Sequence, residues 1–496
     1  MSDAQKAVPQ AAAEEQVLEH GLLDQIVEEG RLAKDAAARE RGKDLVKEFV
    51  TQVLEGSMTV AKDAEVMINA RIAQIDHLIS IQLNEVLHHP SFQKLESTWR
   101  GLKYLLDQSE TGENLKIKIL NASKKELLRD LQRAPEFDQS ALFKKVYEEE
   151  FGIFGGSPFA AMLGDYEFGR GPEDIELLEK VSQVASAAHA PFISSASPEM
   201  FNLDSFTSLD APRDMAKVFD TTEYAKWKSF RQSEDSRYVA LTCPRILMRL
   251  PYGKATVPVD AFNYDEHVDG SDHSKYLWGN ASFALGARLT TAFANYGWCA
   301  AIRGVEGGGL VEGLPVHNFY TDEGDVAMKC PTEAPITDRR EKELADLGFA
   351  PLVHCKNTDY AAFFSVQSCQ KPKLFDNEAA NANARLSAQL PYIMAVSRFA
   401  HYLKAMMRDK IGSFTSRSEC ERWLNQWITN YVTPDDTASA ATKASHPLRE
   451  ARIEVSEVAG KPGVYRAVAF MRPHFQLDEL SVSLRLVAEL PASARK

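Results

Sequence analysis

The chain has 496 residues, 44% hydrophobic and 26% charged, so it can bury a large core in two or three lobes and is not a disordered polymer. Its 57 Lys and Arg against 70 Asp and Glu give a net charge of −13, with no sustained basic run, which argues against nucleic acid and anionic membrane as partners. No apolar run is long enough to span a bilayer and no secretory signal opens the chain, while six scattered cysteines without a C-x-x-C pair fit reduced thiols in a cytoplasmic protein.

Residues 1–15 are rich in Ala, Gln and Glu and read as a disordered leader. A short amphipathic helix follows, with Leu18, Leu22 and Ile26 on one face and Gly30 as its stop. Residues 31–41 read as a tether. Leu45–Leu54 (LVKEFVTQVL) is ambiguous, its spacing fitting a helix and its Val, Phe and Thr content a strand. A long helix is expected from Asp63 to Leu87, carrying Ile68, Ile72, Ile75, Ile79 and Val86. Pro90 and Ser91 then signal another helix start. Phe92, Leu95, Trp99, Leu102 and Leu106 recur at steps of three and four, an apolar stripe expected to sit in the core.

Asn114–Leu120 alternates as a strand should. From there to Ser208 helical and strand patterns alternate, with helices at Lys124–Leu131, Ala141–Glu150 and Glu173–Ala188 and strands at Ala161–Phe168 and Pro191–Ser194. That order predicts an α/β layered core. Residues 209–347 are richer in loops and read as an inserted lobe. Strands return at Phe349–His354 and Tyr360–Val366, then helices at Glu378–Ile411 and Ser418–Tyr431. The end of the chain is β-rich: Ala451–Val458 and Val464–Arg472 flank a turn at 459–463, and Ser481–Leu490 alternates cleanly. A terminal strand of this kind can pair internally or add to a neighbour's sheet.

No catalytic constellation stands out. The glycine-rich stretch Gly304–Gly313 lacks the Gly-Lys-Ser/Thr of a phosphate loop and reads as a tight turn. Asp265, Glu266, His267, Asp269, Asp272 and His273 match neither zinc nor calcium spacing and read as a solvated acidic loop. Ser157 has no nucleophile elbow around it, and the pairs Glu234/Asp235 and Asp338/Glu341 read as surface charge. No catalytic, cofactor or metal residue is therefore assigned. An enzyme of layered βα type with an active site assembled only in space remains the alternative.

The wording of particular segments adds a different kind of information. FQKLESTWRGLK (92–103), HAPFISSASPEMF (189–201), WKSFRQSEDSRYVALTCPRILMRLPYG (227–253), YLWGNASFALGARLT (276–290), PTEAPITDRREKELADLGF (331–349) and QLPYIMAVSRFAHYLK (389–404) run in order along nearly the whole chain. Together they resemble the large sheath subunit of the bacterial type VI secretion system, the TssC/VipB family. The resemblance implies a structural polymer and no cofactor. Its implied partners are a small sheath subunit (TssB/VipA-type), further copies of itself, an Hcp-type inner tube, a baseplate and the ClpV AAA+ unfoldase. It implies a contractile cytoplasmic tube anchored at the envelope. A static phage-tail-like scaffold is the third reading.

In that family, neighbours are joined by exchanged strands, and the matching positions here are Phe49, Val50, Val53, Ile453, Val455, Val468, Phe470, Val482, Leu484 and Leu486. LLDQIVEEGRLA (22–33) resembles the family's unfoldase-docking helix, with Leu22, Leu23, Asp24, Ile26 and Arg31 as the matching residues; the tether after Ala33 departs from the family's wording. The implied organisation is a leader with docking helix and linker strand (1–57), an opening section of the sheath core (58–208), the inserted lobe (209–347), and a closing section of the core with exchange strands (348–496).

Overall fold

The computed structural model describes residues 40–44, 46–48, 51, 64–211, 214–268, 270, 272–321, 323–413, 416–458, 465–474 and 476. The docking-helix residues Leu22, Leu23, Asp24, Ile26 and Arg31, the strand residues Phe49, Val50 and Val53, and Val482, Leu484 and Leu486 lie outside them. The chain divides into two compact units, Met1–Leu83 with Val259–Tyr264, and Asn84–Pro258 with Asp265–Lys496. In the first, residues 40–44, 46–48 and 51 are helical, and most of the helix α1 (Ala64–Leu87) belongs here, as the spacing of its isoleucines predicts.

The second unit is built on a four-stranded parallel sheet of β1 (Met162–Phe168), β2 (Phe192–Ala196), β3 (Val239–Cys243) and β5 (Ala350–Pro351), in that order. Parallel neighbours need crossovers, and β1 reaches β2 through α3 (Pro172–Ala188). That helix opens with Pro172 at its first position and Glu173 and Asp174 in its first turn, and ends on His189 at φ 51°. Alternate strand residues face two separate cores. Phe168, Phe192, Val239 and Leu241 meet Ile175, Leu178, Val181 and Val184 of α3. Ile193, Ala240 and Ala350 meet Ala284, Leu285 and Leu289 of α4 (Ser282–Tyr296). A sheet covered on both faces accounts for runs such as VALTC, apolar without alternation.

This sheet corrects the reading of 209–347 as an insertion. Residues 239–243 lie inside that span yet form an interior strand, and the excursion from the sheet is the stretch between β3 and β5. A short, wholly buried strand in loop-rich surroundings offers no period to detect. The expected strands at 349–354 and 360–366 are also shorter and shared: β6 (Val353–His354) and β7 (Ala361–Ala362) pair with β4 (Leu310–Val311) in a second sheet. The glycine-rich turn sits against this sheet. Gly304 donates its N–H to the Phe363 carbonyl, and Gly308 has a φ of 89°, so a turn and packing role is what the segment performs.

Towards the end of the chain, the single helix expected over 378–411 is two, α5 (Glu378–Ser387) and α6 (Leu390–Asp409), because Pro391 must sit in the first turn of a new helix. Helix α7 (Arg417–Thr429) starts on a capping box of Ser416 and Glu419. The hairpin of β8 (Leu448–Glu457) and β9 (Tyr465–Pro473) follows in the expected place. Phe399, Leu403, Leu424, Ile428, Leu448, Ile453 and Val455 form a third core between these elements.

Candidate assembly surfaces

The apolar stripe of α2 (Pro90–Asp107) faces the wrong way for a core helix. Trp99 is 63% exposed and Leu95 55%, Leu106 is exposed as well, and Phe92 and Leu102 are half-buried. The buried residues are Gly101 and Leu105 on the opposite side, where a Cβ on Gly101 would overlap the Phe283 ring of α4. The periodicity is a true helix signal, but the surface it marks is left exposed by the described residues. The helix start differs too: His89 is the N-cap, its Nδ1 accepting the Ser91 N–H at 3.3 Å, with Pro90 next in line.

Behind the stripe, α2 is fastened firmly. Thr98 Oγ1 donates to Asp165 Oδ2 of β1 at 2.5 Å. Glu96 accepts from Arg100 at 2.7 Å and from Arg249 at 2.8 Å. Arg249 also grips Glu266 in a bidentate pair at 2.6 and 3.1 Å, and Glu266 takes the Tyr252 N–H and contacts His88 Nε2 at 3.1 Å. The Glu266 side chain is 1% exposed. Burial alone would lower the Arg249 pKa, but the two glutamates outweigh it and raise it.

Glu266 thus departs from the solvated acidic loop expected around it, and so does His273, whose Nε2 lies 3.0 Å from Glu333. Asp265 accepts the Lys254 N–H, while Asp269 lies outside the described residues. Glu341 is buried rather than a surface charge, and its carboxyl pKa is raised by that burial. The partners of these acids are too distant in sequence for spacing to reveal.

Asn114–Leu120, expected as a strand, joins no sheet among the described residues. Ile117 packs on Leu105 and Phe283 beneath α2, whereas Ile119 and Leu120 are exposed. Helix α1 carries a larger bare surface: Val66, Ile68, Ile72, Ile75, Leu78 and Ile79 are all exposed. A helix apolar over most of its circumference is normally buried.

Of the strand residues matched to the sheath family, Ile453 and Val455 are buried in the third core, and Val468 and Phe470 are exposed on the outer face of the hairpin. His401, between Phe151 and His189, has its pKa lowered to about 4 by burial. Burial raises the Cys299 and Cys369 thiols to about 11 and about 12, and the six cysteines are unpaired. No three His, Cys, Asp or Glu among the described residues converge as a metal site, and no described helix is long and apolar enough to cross a membrane.

Comparison with known proteins identifies the family of the chain. Residues 69–370 match the EvpB/VC_A0108 tail sheath N-terminal domain of the VipB family, and residues 379–490 match its tail sheath gpW/gp25-like domain. The type VI secretion system sheath protein TssC1 of Pseudomonas aeruginosa is 51% identical over 463 residues, 93% of each chain. Among solved structures, a chain of the anti-feeding prophage baseplate aligns with 63% of this chain and 66% of its own at 9% identity and a TM-score of 0.35. A chain of the contracted anti-feeding prophage helical sheath aligns with 62% and 66% at 10% identity and 0.32. The family assignment rests on the sequence matches. The chain belongs to the TssC/VipB family, the structural subunits of the type VI secretion contractile sheath.

Proposed function

We propose that this chain pairs with a small sheath subunit of TssB/VipA type, and that the heterodimers wind into a cytoplasmic tube around an Hcp-type inner tube. The tube is built on a baseplate, anchored through it at the envelope, and its contraction propels the inner tube and its effectors outward. The carrying observation is exposed apolar surface on each unit: in the second, the outer face of α2 with Ile119 and Leu120, and in the first, most of α1. Exposed apolar patches of this kind mark contact with another protein. A segment that joins no described sheet, with Ile117 packed beneath such a face, suits strand addition by the small subunit. Head-to-tail contacts that do not close generate a helical filament, and contraction is then a switch between two packings of the same bodies.

The test is electron microscopy after co-expression with the adjacent small-subunit gene. Hollow cogwheel tubules are expected; only discrete particles under varied conditions would overturn the reading. Residues 22–33 supply the docking helix for the ClpV unfoldase, which consumes the ATP. Leu22→Asp combined with Ile26→Asp should lower ClpV affinity at least about ten-fold in a direct binding assay, since two apolar anchors are lost from a groove, and should leave tubules intact. Unchanged affinity would remove the docking assignment.

A further inference from the structure

Two segments distant in sequence bring a thiol and an imidazole together. Residues 331–333 run beside 245–247, where the Leu247 N–H donates to the Pro331 carbonyl at 2.8 Å and Thr332 bridges Ile246. This anchors Cys330, half-buried at the end of the strand Val326–Lys329. His354 ends β6, and the turn that follows folds back so that its Nε2 lies 2.8 Å from the Thr358 carbonyl. A carbonyl only accepts, so Nε2 carries a proton and Nδ1 is the nitrogen left to exchange one with a thiol. Cys330 bonds the His354 ring, and Thr332 adds its backbone N–H and a hydroxyl oxygen 3.1 Å from the sulfur. That hydroxyl has one hydrogen, which can point to the sulfur or to the Ala334 carbonyl at 3.0 Å.

Electrostatics favour the same pairing. Burial by itself would raise the Cys330 pKa, yet the His354 ring and Thr332 outweigh it and lower it. Burial would lower the His354 pKa, yet Cys330 and the Thr358 carbonyl raise it. The pair is drawn towards thiolate and imidazolium. Lys329, next in the chain to Cys330, and Cys355, next to His354, are the other titratable groups acting on it. Cys243, Cys299, Cys369 and Cys420 go the opposite way, their thiols raised by burial.

We propose that Cys330 and His354 form a nucleophilic pair, and that Cys330 is the site at which hydrogen peroxide modifies this chain, giving a sulfenic acid. The thiolate sulfur attacks one peroxide oxygen, and the S–O bond forms as the O–O bond breaks. The departing hydroxide takes the Nδ1 proton of His354 and leaves as water. Sulfur is oxidised by two electrons and peroxide is reduced by two. A half-buried sulfur admits an oxidant this small. A thiol, a base beside it and a third group that orients the base are the arrangement that activates a cysteine, and here the Thr358 carbonyl is the orienting group.

The test exposes the full-length chain to hydrogen peroxide with dimedone present to trap sulfenic acids, followed by peptide mass mapping. Cys330 should gain the adduct at least about five-fold faster than Cys355, the exposed cysteine, whereas exposure alone would reverse that order. Iodoacetamide labelling across pH reads the same thiol without an oxidant, and its midpoint at Cys330 should lie below that of a cysteine-containing model peptide. His354→Gln should move that midpoint upward and slow both reactions of Cys330 at neutral pH at least about five-fold, with Cys420 unchanged. The wild-type ranking and midpoint need no substitution, so they decide the matter even where His354→Gln fails to fold. An adduct on Cys330 no faster than on Cys355, a midpoint at or above that of the peptide, or a folded His354→Gln chain with unchanged labelling would each overturn the proposal.

Discussion

Trp99→Asp should abolish co-purification of the chain with its small sheath subunit and eliminate tubules, while changing the stability of the isolated chain by no more than about 0.5 kcal/mol. The side chain is 63% exposed, so the folded chain loses little when it is replaced. At an interface the balance reverses, because a buried tryptophan anchor is worth at least about 2 kcal/mol and a carboxylate in its place would be desolvated without a partner. Leu105→Ala, on the opposite face of the same helix, is the contrast: it should cost about 2–5 kcal/mol of folding stability. Pull-down from co-expressing cells and thermal unfolding of each variant separate the two faces. Wild-type recovery of the small subunit with Trp99→Asp would show that the stripe is not the contact.

Arg249→Met should destabilise the chain by about 3–5 kcal/mol, since removing one member of a buried ion pair strands the other. Glu266 would keep only the Tyr252 N–H and the His88 ring, and Glu96 would keep Arg100. Adding Glu266→Gln to Arg249→Met should recover some of the loss, and the non-additivity in a double-mutant cycle read by urea unfolding measures the coupling. A loss below about 1 kcal/mol for Arg249→Met would mean that the pair is solvated in solution.

What could be read from the chain alone follows the range of the interactions. Helix α3, with its proline start and acidic first turn, and the β8–β9 hairpin are written in a few adjacent residues, and both are found where local pattern places them. The stripe of α2 was legible as a face but not as an outside. Period 3.6 reports that one side seeks apolar company and is silent on which chain provides it. Asn114–Leu120 repeats the lesson, with an alternation that is real and no pairing within the described chain. The Arg249–Glu266–Glu96–His88 cluster was invisible because its members come from separate segments brought together only by the fold. Strand β3 was hidden for the opposite reason, being buried on both faces and so without period. Among the positions taken from family wording, Val468 and Phe470 lie on an exposed face, whereas Ile453 and Val455 turned out to be interior.

The fastening of α2 has a mechanical consequence. Along its length the helix is tied to edge strand β1 through Thr98, to α4 through the close approach at Gly101, and to Arg249 through the Glu96 charge pair. Several bonds loaded side by side share a pull, whereas bonds loaded in series would break in succession. If load enters at Trp99, it would be shared among these ties and passed to the central sheet through Thr98 and β1.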